Sequence, residues 1–302
     1  MTTPPVAGVI PPLRPGDRVA VVSPAGPCPP ELLDRGLGLL RSWGLEVVLT
    51  AHARDRHPVL PYLAGADADR AADFTAAWCD PSVRAVLCAR GGYGSERVVD
   101  LVDWAAVAAA GPKVFAGSSD TTTLHGRLWR LGVPTWFGPM VATAAFVEDA
   151  TAREHLRHAL FSGVEGLSGD SSGSLPGVPV VPGRATGTAV GGTVSLLGGT
   201  TPPEGAIALL EDVHEEPYRL DHLLTGLLRQ GWFDRVAGVA LGSWVDCGEP
   251  AEVEAVLVDR LGGLGVPVLG SVGFGHCAGQ RTVPLGVTAV LDADAGLLTV
   301  AR

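Results

Sequence analysis

Short apolar runs alternate with stretches of helical spacing through the first half of the chain. Arg18 to Ser23 (RVAVVS) is one such run, ended by Pro24-Ala25-Gly26-Pro27, and it predicts a buried strand. Glu31 to Trp43 follows with apolar positions at Leu32, Leu33, Leu37, Leu39 and Leu40, the spacing of a helix. Leu45 to Leu49 predicts a second strand. Farther on, Asp67 to Cys79 and Leu124 to Leu131 predict helices, and Ala85 to Cys88 and Lys113 to Phe115 predict strands. Apolar strands alternating with helices imply an α/β fold with a parallel, doubly wound sheet. Chemistry in such sheets gathers at the carboxyl ends of the strands.

The pattern changes near Ser162. Gly163 to Gly183 is rich in Gly, Ser and Pro and predicts a linker or long connection. Beyond it, strands are expected at Thr186 to Val190, Ala206 to Leu210, Val236 to Leu241 and Val287 to Leu291, with a helix from Tyr218 to Gln230 among them. The expected organisation is therefore an N-terminal α/β domain over 1–162, a linker over 163–183, and a smaller β-rich C-terminal domain over 184–302. No repeat at a solenoid period is evident.

Composition narrows the function classes. A chain of 302 residues with 46% hydrophobic and 18% charged residues can bury a sizeable core and is not a disordered protein. The net charge of −10, without a basic run, argues against a nucleic-acid partner. The cysteines at 28, 79, 88, 247 and 277 are scattered and lack CxxC spacing, which fits a reducing compartment and predicts neither a disulfide framework nor a zinc site. Met1 to Pro12 lacks a basic n-region and an apolar stretch of signal length, and no later run reaches the length of a membrane span. A cytoplasmic protein without a membrane partner is the expectation. The sequence does not fix the oligomeric state, and a homodimer is compatible with it.

The segment richest in chemistry is Val114 to Leu124. Its apolar run stops at Gly117, then Ser118, Ser119 and Asp120 lead straight into a helix. Such a turn can present a hydroxyl as a nucleophile beside the unpaired N–H groups of a helix start, which can hold an oxyanion. The same residues also serve as ordinary helix caps. Cys88 to Ser95 (CARGGYGS) follows another strand. It lacks the Walker lysine and GxGxxG spacing, so it reads either as a turn needing φ > 0 or as a source of oxyanion N–H groups at Gly91 or Gly92.

A serine nucleophile needs a base, usually histidine. His52 and His57 lie in a polar loop, His155 and His158 sit on a solvated helix beside Arg153 and Arg157, and His125 falls inside the helix after the serine turn. His276 instead stands in a glycine-flanked loop, Gly273 to Gln280, after the apolar run Val266 to Leu269. A carboxylate would fix its tautomer. Glu211 and Asp212, at the end of the strand Ala206 to Leu210, are the candidates, while Glu215 and Glu216 read as an acidic lead into the next helix. His155-x-x-His158 is the one close histidine pair and spacing suggests no third ligand, so no metal and no cofactor are expected.

Together these segments resemble the LD-carboxypeptidase family, serine peptidases that include the microcin C self-immunity peptidases. The matching motifs run in order: Leu13-x-Pro15-Gly16-Asp17-x-Val19 leading to Ser23-Pro24-Ala25; Tyr62-Leu63-Ala64-Gly65 with Arg70 and Asp73; Arg90-Gly91-Gly92-Tyr93-Gly94; and Gly117-x-Ser119-Asp120-x-Thr122. Later come Gly138-Pro139-Met140, Leu210-Glu211-Asp212-Val213 with Pro217-Tyr218-Arg219-x-Asp221, and Gly275-His276 followed by Pro284-x-Gly286. One departure is Gly191-Gly192-Thr193, where the family often has Gly-Gly-Asn; the stretch after it, Ser195 to Pro203, is short.

The resemblance implies a nucleophile at Ser119, an orienting acid at Glu211 and a general base at His276, with Ser118 a spacer. It also implies an oxyanion hole from the N–H groups of Asp120 and Gly92, and an active site in the cleft between the two domains. Arg90 and Tyr93, in the glycine motif, become candidates for substrate contact. The implied activity is a serine carboxypeptidase releasing the terminal D-alanine from murein tetrapeptides through an acyl-enzyme, in peptidoglycan recycling. The alternatives are a peptidase that detoxifies acyl-sulfamoyl adenylates and a non-catalytic peptide-binding module.

Overall fold

The protein is described by a computed structural model covering residues 11–166 and 174–300. Its first sheet is built from β1 (Arg18–Val22), β2 (Glu46–Leu49), β3 (Val83–Cys88), β4 (Val114–Gly117) and β5 (Thr135–Phe137), in the order β5-β4-β3-β1-β2 and all parallel. Side chains alternate across a strand, so each strand feeds two layers. Val19 and Val21 join one apolar cluster and Ala20 and Val22 the other; Leu87 and Val86 of β3 divide in the same way. Helices Pro30–Ser42 and Ala150–Ser162 cover the first face through Leu33, Leu37, Leu40, Leu156 and Leu160. Helices Asp67–Cys79 and Thr122–Arg130 cover the other through Phe74, Trp78, Leu124 and Leu128. This is the doubly wound arrangement expected from the apolar runs.

The second sheet contains β6 (Ser174–Pro176), β7 (Val178–Val181), β8 (Arg184–Thr193), β9 (Ala206–Val213), β10 (Val236–Val245), β11 (Val268–Gly270), β13 (Thr288–Asp292) and β14 (Leu297–Val300), ordered β6-β14-β13-β8-β9-β10-β11-β7. Its centre, β8 through β11, is parallel, and the flanking pairs are antiparallel. One face lies under helices Pro217–Arg229 and Pro250–Leu261. The other joins Ile207, Leu209, Ala240 and Phe274 with Phe137 of β5, so the two domains share an apolar layer.

Two expectations need correcting. The stretch 163–183 is not simply a connection. Its residues 174–181 form β6 and β7, which pair with β14 and β11 at opposite edges of the second sheet; residues 167–173 lie outside the described part. Apolar alternation over only three or four residues is too short to stand out among Gly and Pro. Nor do the two sheets divide the chain cleanly: β12 (Val283–Leu285) leaves the C-terminal half and pairs antiparallel with β5, closing the edge of the first sheet.

Candidate active site

The serine turn is shaped by local bonds. β4 ends at Gly117, where a side chain would meet the Thr121 hydroxyl at 2.5 Å and the Cys88 sulfur at 3.1 Å, so only glycine fits. Thr121 and Thr122 fold their hydroxyls back, donating to the carbonyls of Ser118 (2.9 Å) and Ser119 (2.8 Å). Ser119 is thereby held at φ 56°, a left-handed conformation that costs a non-glycine residue about 1–3 kcal/mol. Ser118 is buried while Ser119 is half-buried, and the Ser119 hydroxyl makes no hydrogen bond among the described residues. The strained turn leaves one hydroxyl uncommitted and reachable.

The glycine motif after β3 lies against this serine. A side chain at Gly91 would sit 2.9 Å from Ser119 Cβ and 3.1 Å from its Oγ. Gly92 follows at φ 104° and is exposed. The two loops are tied by Asp120, whose carboxylate accepts from the Ser95 N–H at 2.7 Å while the Ser95 hydroxyl donates to the Asp120 carbonyl. Burial pushes the Asp120 carboxyl above its ordinary range, against hydrogen bonds from Ser95 and Gly94 that pull it down. Its side chain is thus engaged in structure, and its N–H stands in the first turn, where helices leave donors unpaired. Arg70, fully buried, donates to the carbonyls of Pro24 and Gly94 and holds the loops together from beneath. Arg90 donates to the Pro27 carbonyl at 2.8 Å; Tyr93 is exposed, its ring edge-on to Tyr62 at 5.8 Å.

The acid stands on the second sheet and the candidate base in the loop that follows β11. Along β9, Ile207 and Leu209 face the layer shared with the first sheet, and Ala208 and Leu210 face the helices. Period-two alternation therefore turns Glu211 toward the interface and Asp212 away from it. Glu211 is fully buried, with Oε2 at 2.7 Å from His276 Nδ1 and Oε1 accepting from the Thr193 hydroxyl at 2.5 Å. Gly275 makes this approach feasible: at φ 103°, any side chain there would lie 2.6 Å from Glu211 Oε2 and from Ser243 Oγ. The Ser243 hydroxyl accepts from the His276 N–H at 2.8 Å and fixes the loop. Burial alone would lower the His276 pKa, but the hydrogen bond and charge of Glu211, with the charge of Asp212, outweigh it and leave the pKa raised. Asp212 accepts from the N–H groups of Val213 and Ser195, both at 2.8 Å; burial nonetheless drives its carboxyl up to about 6.

His125, His155 and His158 have structural partners of their own. His125 is buried, paired with Thr135 Oγ1 at 2.7 Å and the Gly117 carbonyl at 3.1 Å, and burial drives its pKa down to about 4. His155 reaches the Gln280 carbonyl at 3.2 Å, and His158 is exposed beside Glu154. Among the described residues no group of three or more His, Cys, Asp or Glu could hold a metal ion. A cavity of about 480 Å³ is lined by Thr122, Trp129, Leu197 and Trp232, and neither Ser119 nor the Glu211–His276 pair lines it. Thr122 enters the sequence reading only as a motif position and Thr193 only as a departure from Gly-Gly-Asn, and Ser243 does not enter it. Their roles depend on strand register and loop approach, which spacing along the chain does not encode.

Fold and geometry together define a two-domain α/β protein with a reachable serine at the end of a strand of one sheet, and a carboxylate on the other sheet paired with a histidine in the loop after β11. The chain belongs to the LD-carboxypeptidase family: residues 19–138 match the model of the LD-carboxypeptidase N-terminal domain and residues 183–291 that of the C-terminal domain. A Streptomyces coelicolor protein assigned by name to the carboxypeptidases is 55% identical over 298 residues, covering 96% of this chain and 95% of its own. The murein tetrapeptide carboxypeptidase of Pseudomonas aeruginosa is 32% identical over 293 residues, covering 92% and 94%. Among solved structures, a muramoyltetrapeptide carboxypeptidase from Oxalobacter formigenes superposes with a TM-score of 0.79 at 26% identity, over 94% of this chain and 97% of that one.

Proposed function

We propose that this protein is a serine LD-carboxypeptidase that releases the terminal D-alanine of murein tetrapeptides through an acyl-enzyme, acting in the cytoplasm in peptidoglycan recycling. The observation that carries the reading is the 2.7 Å bond between His276 Nδ1 and the buried Glu211, on the face turned toward the Ser119 turn. The names of the Pseudomonas and Oxalobacter relatives support the substrate class.

In this reading Glu211 holds Nδ1 protonated and leaves Nε2 of His276 free to take the Ser119 proton. The Ser119 oxygen attacks the peptide carbonyl, and the oxyanion is met by the N–H groups of Asp120 and Gly92. The imidazolium then gives its proton to the departing D-alanine amine. Water, activated by the same histidine, hydrolyses the ester. The serine belongs to the domain over 1–162 and its partners to that over 184–302, so the substrate lies between them, with Arg90 and Tyr93 at hand to contact it.

The test is incubation of the purified protein with a murein tetrapeptide and chromatographic detection of free D-alanine, with an acyl-sulfamoyl adenylate assayed alongside. D-alanine release that vanishes in Ser119→Ala supports the proposal. Cleavage of the adenylate alone would reassign the enzyme to detoxification. Neither reaction, together with no labelling by a serine-directed phosphonate, would make the protein a binding module.

A further inference from the structure

We propose that Thr193 is a positioning residue for Glu211, and that with Thr122 it fastens the Glu211–His276 pair to the serine turn across the domain interface. The inference rests on the triad proposed above. Thr193 and Glu211 are direct partners in the parallel register of β8 and β9, so their side chains stand side by side on one face. Glu211 is fully buried and has one partner for each oxygen: His276 on Oε2, the Thr193 hydroxyl on Oε1. A carboxylate so enclosed cannot replace a lost donor with bulk water. Threonine is stiff about χ1, so its hydroxyl dictates the carboxylate's orientation and does not merely follow it.

The same residue reaches the other domain. The Thr193 N–H donates to the Thr122 hydroxyl at 3.1 Å, and that hydroxyl donates to the Ser119 carbonyl at 2.8 Å. Gly192, at φ 130°, permits the approach, since a side chain there would lie 2.6 Å from Thr122 Oγ1. Two threonines therefore form a strap from the backbone of Ser119 to the acid that orients His276. The spacing of groups carried by different sheets is fixed by these bonds at the site itself.

The strap predicts a separation of effects. Thr193→Val keeps the shape and deletes the hydroxyl. Losing a donor to the charged carboxylate makes the Glu211–His276 pair bind its proton more tightly, whichever atom carries it, so the acid limb of the rate profile moves to higher pH. The other titratable groups around the pair are Asp212 on its own strand, Cys247 after β10, and Cys277 and Asp149 on the flanking loop and helix start, and the substitution leaves them in place. A hydrogen bond to a charged group corresponds to a limb shift of about one pH unit. Thr122→Val instead loosens the serine turn, while Glu211 keeps its donor.

The experiment measures D-alanine release and the rate of phosphonate labelling against pH in the full-length protein, with circular dichroism melting to check folding. For Thr193→Val we expect kcat and labelling rate to fall about tenfold with KM little changed, and the acid limb to rise. Thr193→Ser should restore both to near wild type. Thr122→Val should slow labelling with the limb unmoved. A folded Thr193→Val with wild-type rate and limb overturns the proposal, as does a Thr193→Ser as impaired as the valine variant. If Thr193→Val does not fold, the serine variant and the Thr122→Val limb decide. A wild type that labels but releases no D-alanine rejects the substrate reading alone, and Thr193 is then judged by labelling; a wild type that does not label rejects both.

Discussion

The serine turn is one continuous stretch. β4, Ser119 and the helix Thr122–Arg130 span residues 114–130, and the threonine hydroxyls that fold the turn each donate to a carbonyl three residues back. The Glu211–His276 pair joins residues 65 apart, and the donor to its second oxygen comes from another strand 18 residues away. The two regions also hold their histidines differently. His125, beneath the serine turn, is buried against a hydroxyl and a carbonyl and driven down to about 4; His276, against a buried carboxylate, is raised. A local turn can store strain in its own backbone. A pair built from distant segments must be secured by packing and register, so its weak points lie in neighbours that never touch a substrate.

The comparison breaks most sharply at Glu211. Glu211→Gln keeps the shape but no longer stabilises the imidazolium, and we expect kcat to fall roughly 10⁴-fold. Ser118→Ala, at a buried residue beside the proposed nucleophile Ser119, should leave kcat within a few-fold of wild type. If the two rank the other way, the assignment of Ser119 over Ser118 is wrong. Gly275→Ala probes the neighbours of the pair alone. Its methyl would fall 2.6 Å from Glu211 Oε2, and the residue would be strained at φ 103°. A displacement of the pair on the ångström scale corresponds to about 10²-fold in kcat. A fully active alanine variant would show that the carboxylate is not held where the geometry places it.

The contrast between the histidines gives the pH dependence. With His276 as the proposed base, the rate should fall on the acid side as the imidazole protonates, with a midpoint above the ordinary histidine value of about 6.5 because the pKa is raised. The same group stabilises the fold at low pH: its contribution is complete below about 6.5 and is lost as pH rises through the raised folded value. A kcat/KM profile with its acid midpoint below 6.5 would contradict the Glu211 pairing.

Much of this architecture could be read in the chain, and the exceptions share a cause. β1, β3 and β4 are runs buried on both faces, and the helix Asp67–Cys79 has the bounds that its spacing suggested. β6, β7 and β12 are three or four residues long and become strands only because β14, β11 and β5 offer them edges. At the site, the serine turn carries its signal in Gly117 to Thr122, a strand stop followed by a helix start. Glu211 could be placed at a strand end, but which of Glu211 and Asp212 faces the interface depends on how β9 alternates between two layers. Thr193 stands out in the sequence only as a departure from Gly-Gly-Asn, which names no partner for its hydroxyl. Its importance arises from a parallel register that brings it beside Glu211.

The smallest expected effect on catalysis, and the cleanest on stability, is at His125. It lies next to the serine turn in sequence, yet its ring nitrogens face Thr135 and the Gly117 carbonyl, so His125→Asn should change kcat by no more than a few-fold. Its folded pKa, about 4, lies below the unfolded value of about 6.5, so the native state resists taking up its proton. Stability from this group is complete above about 6.5 and is lost as pH falls through the interval down to 4. Integrated over that interval the loss is about 3 kcal/mol. Asp212, driven up to about 6, titrates in the same window with the opposite sign, because its folded form favours the proton. The two partly cancel in wild type, so the decisive quantity is the difference between wild type and His125→Asn in urea midpoints from pH 7 to pH 4. The variant should lose less stability on acidification than wild type. Parallel curves would mean that His125 takes up a proton as readily in the folded chain as in the unfolded one, and the contrast with His276 would fail.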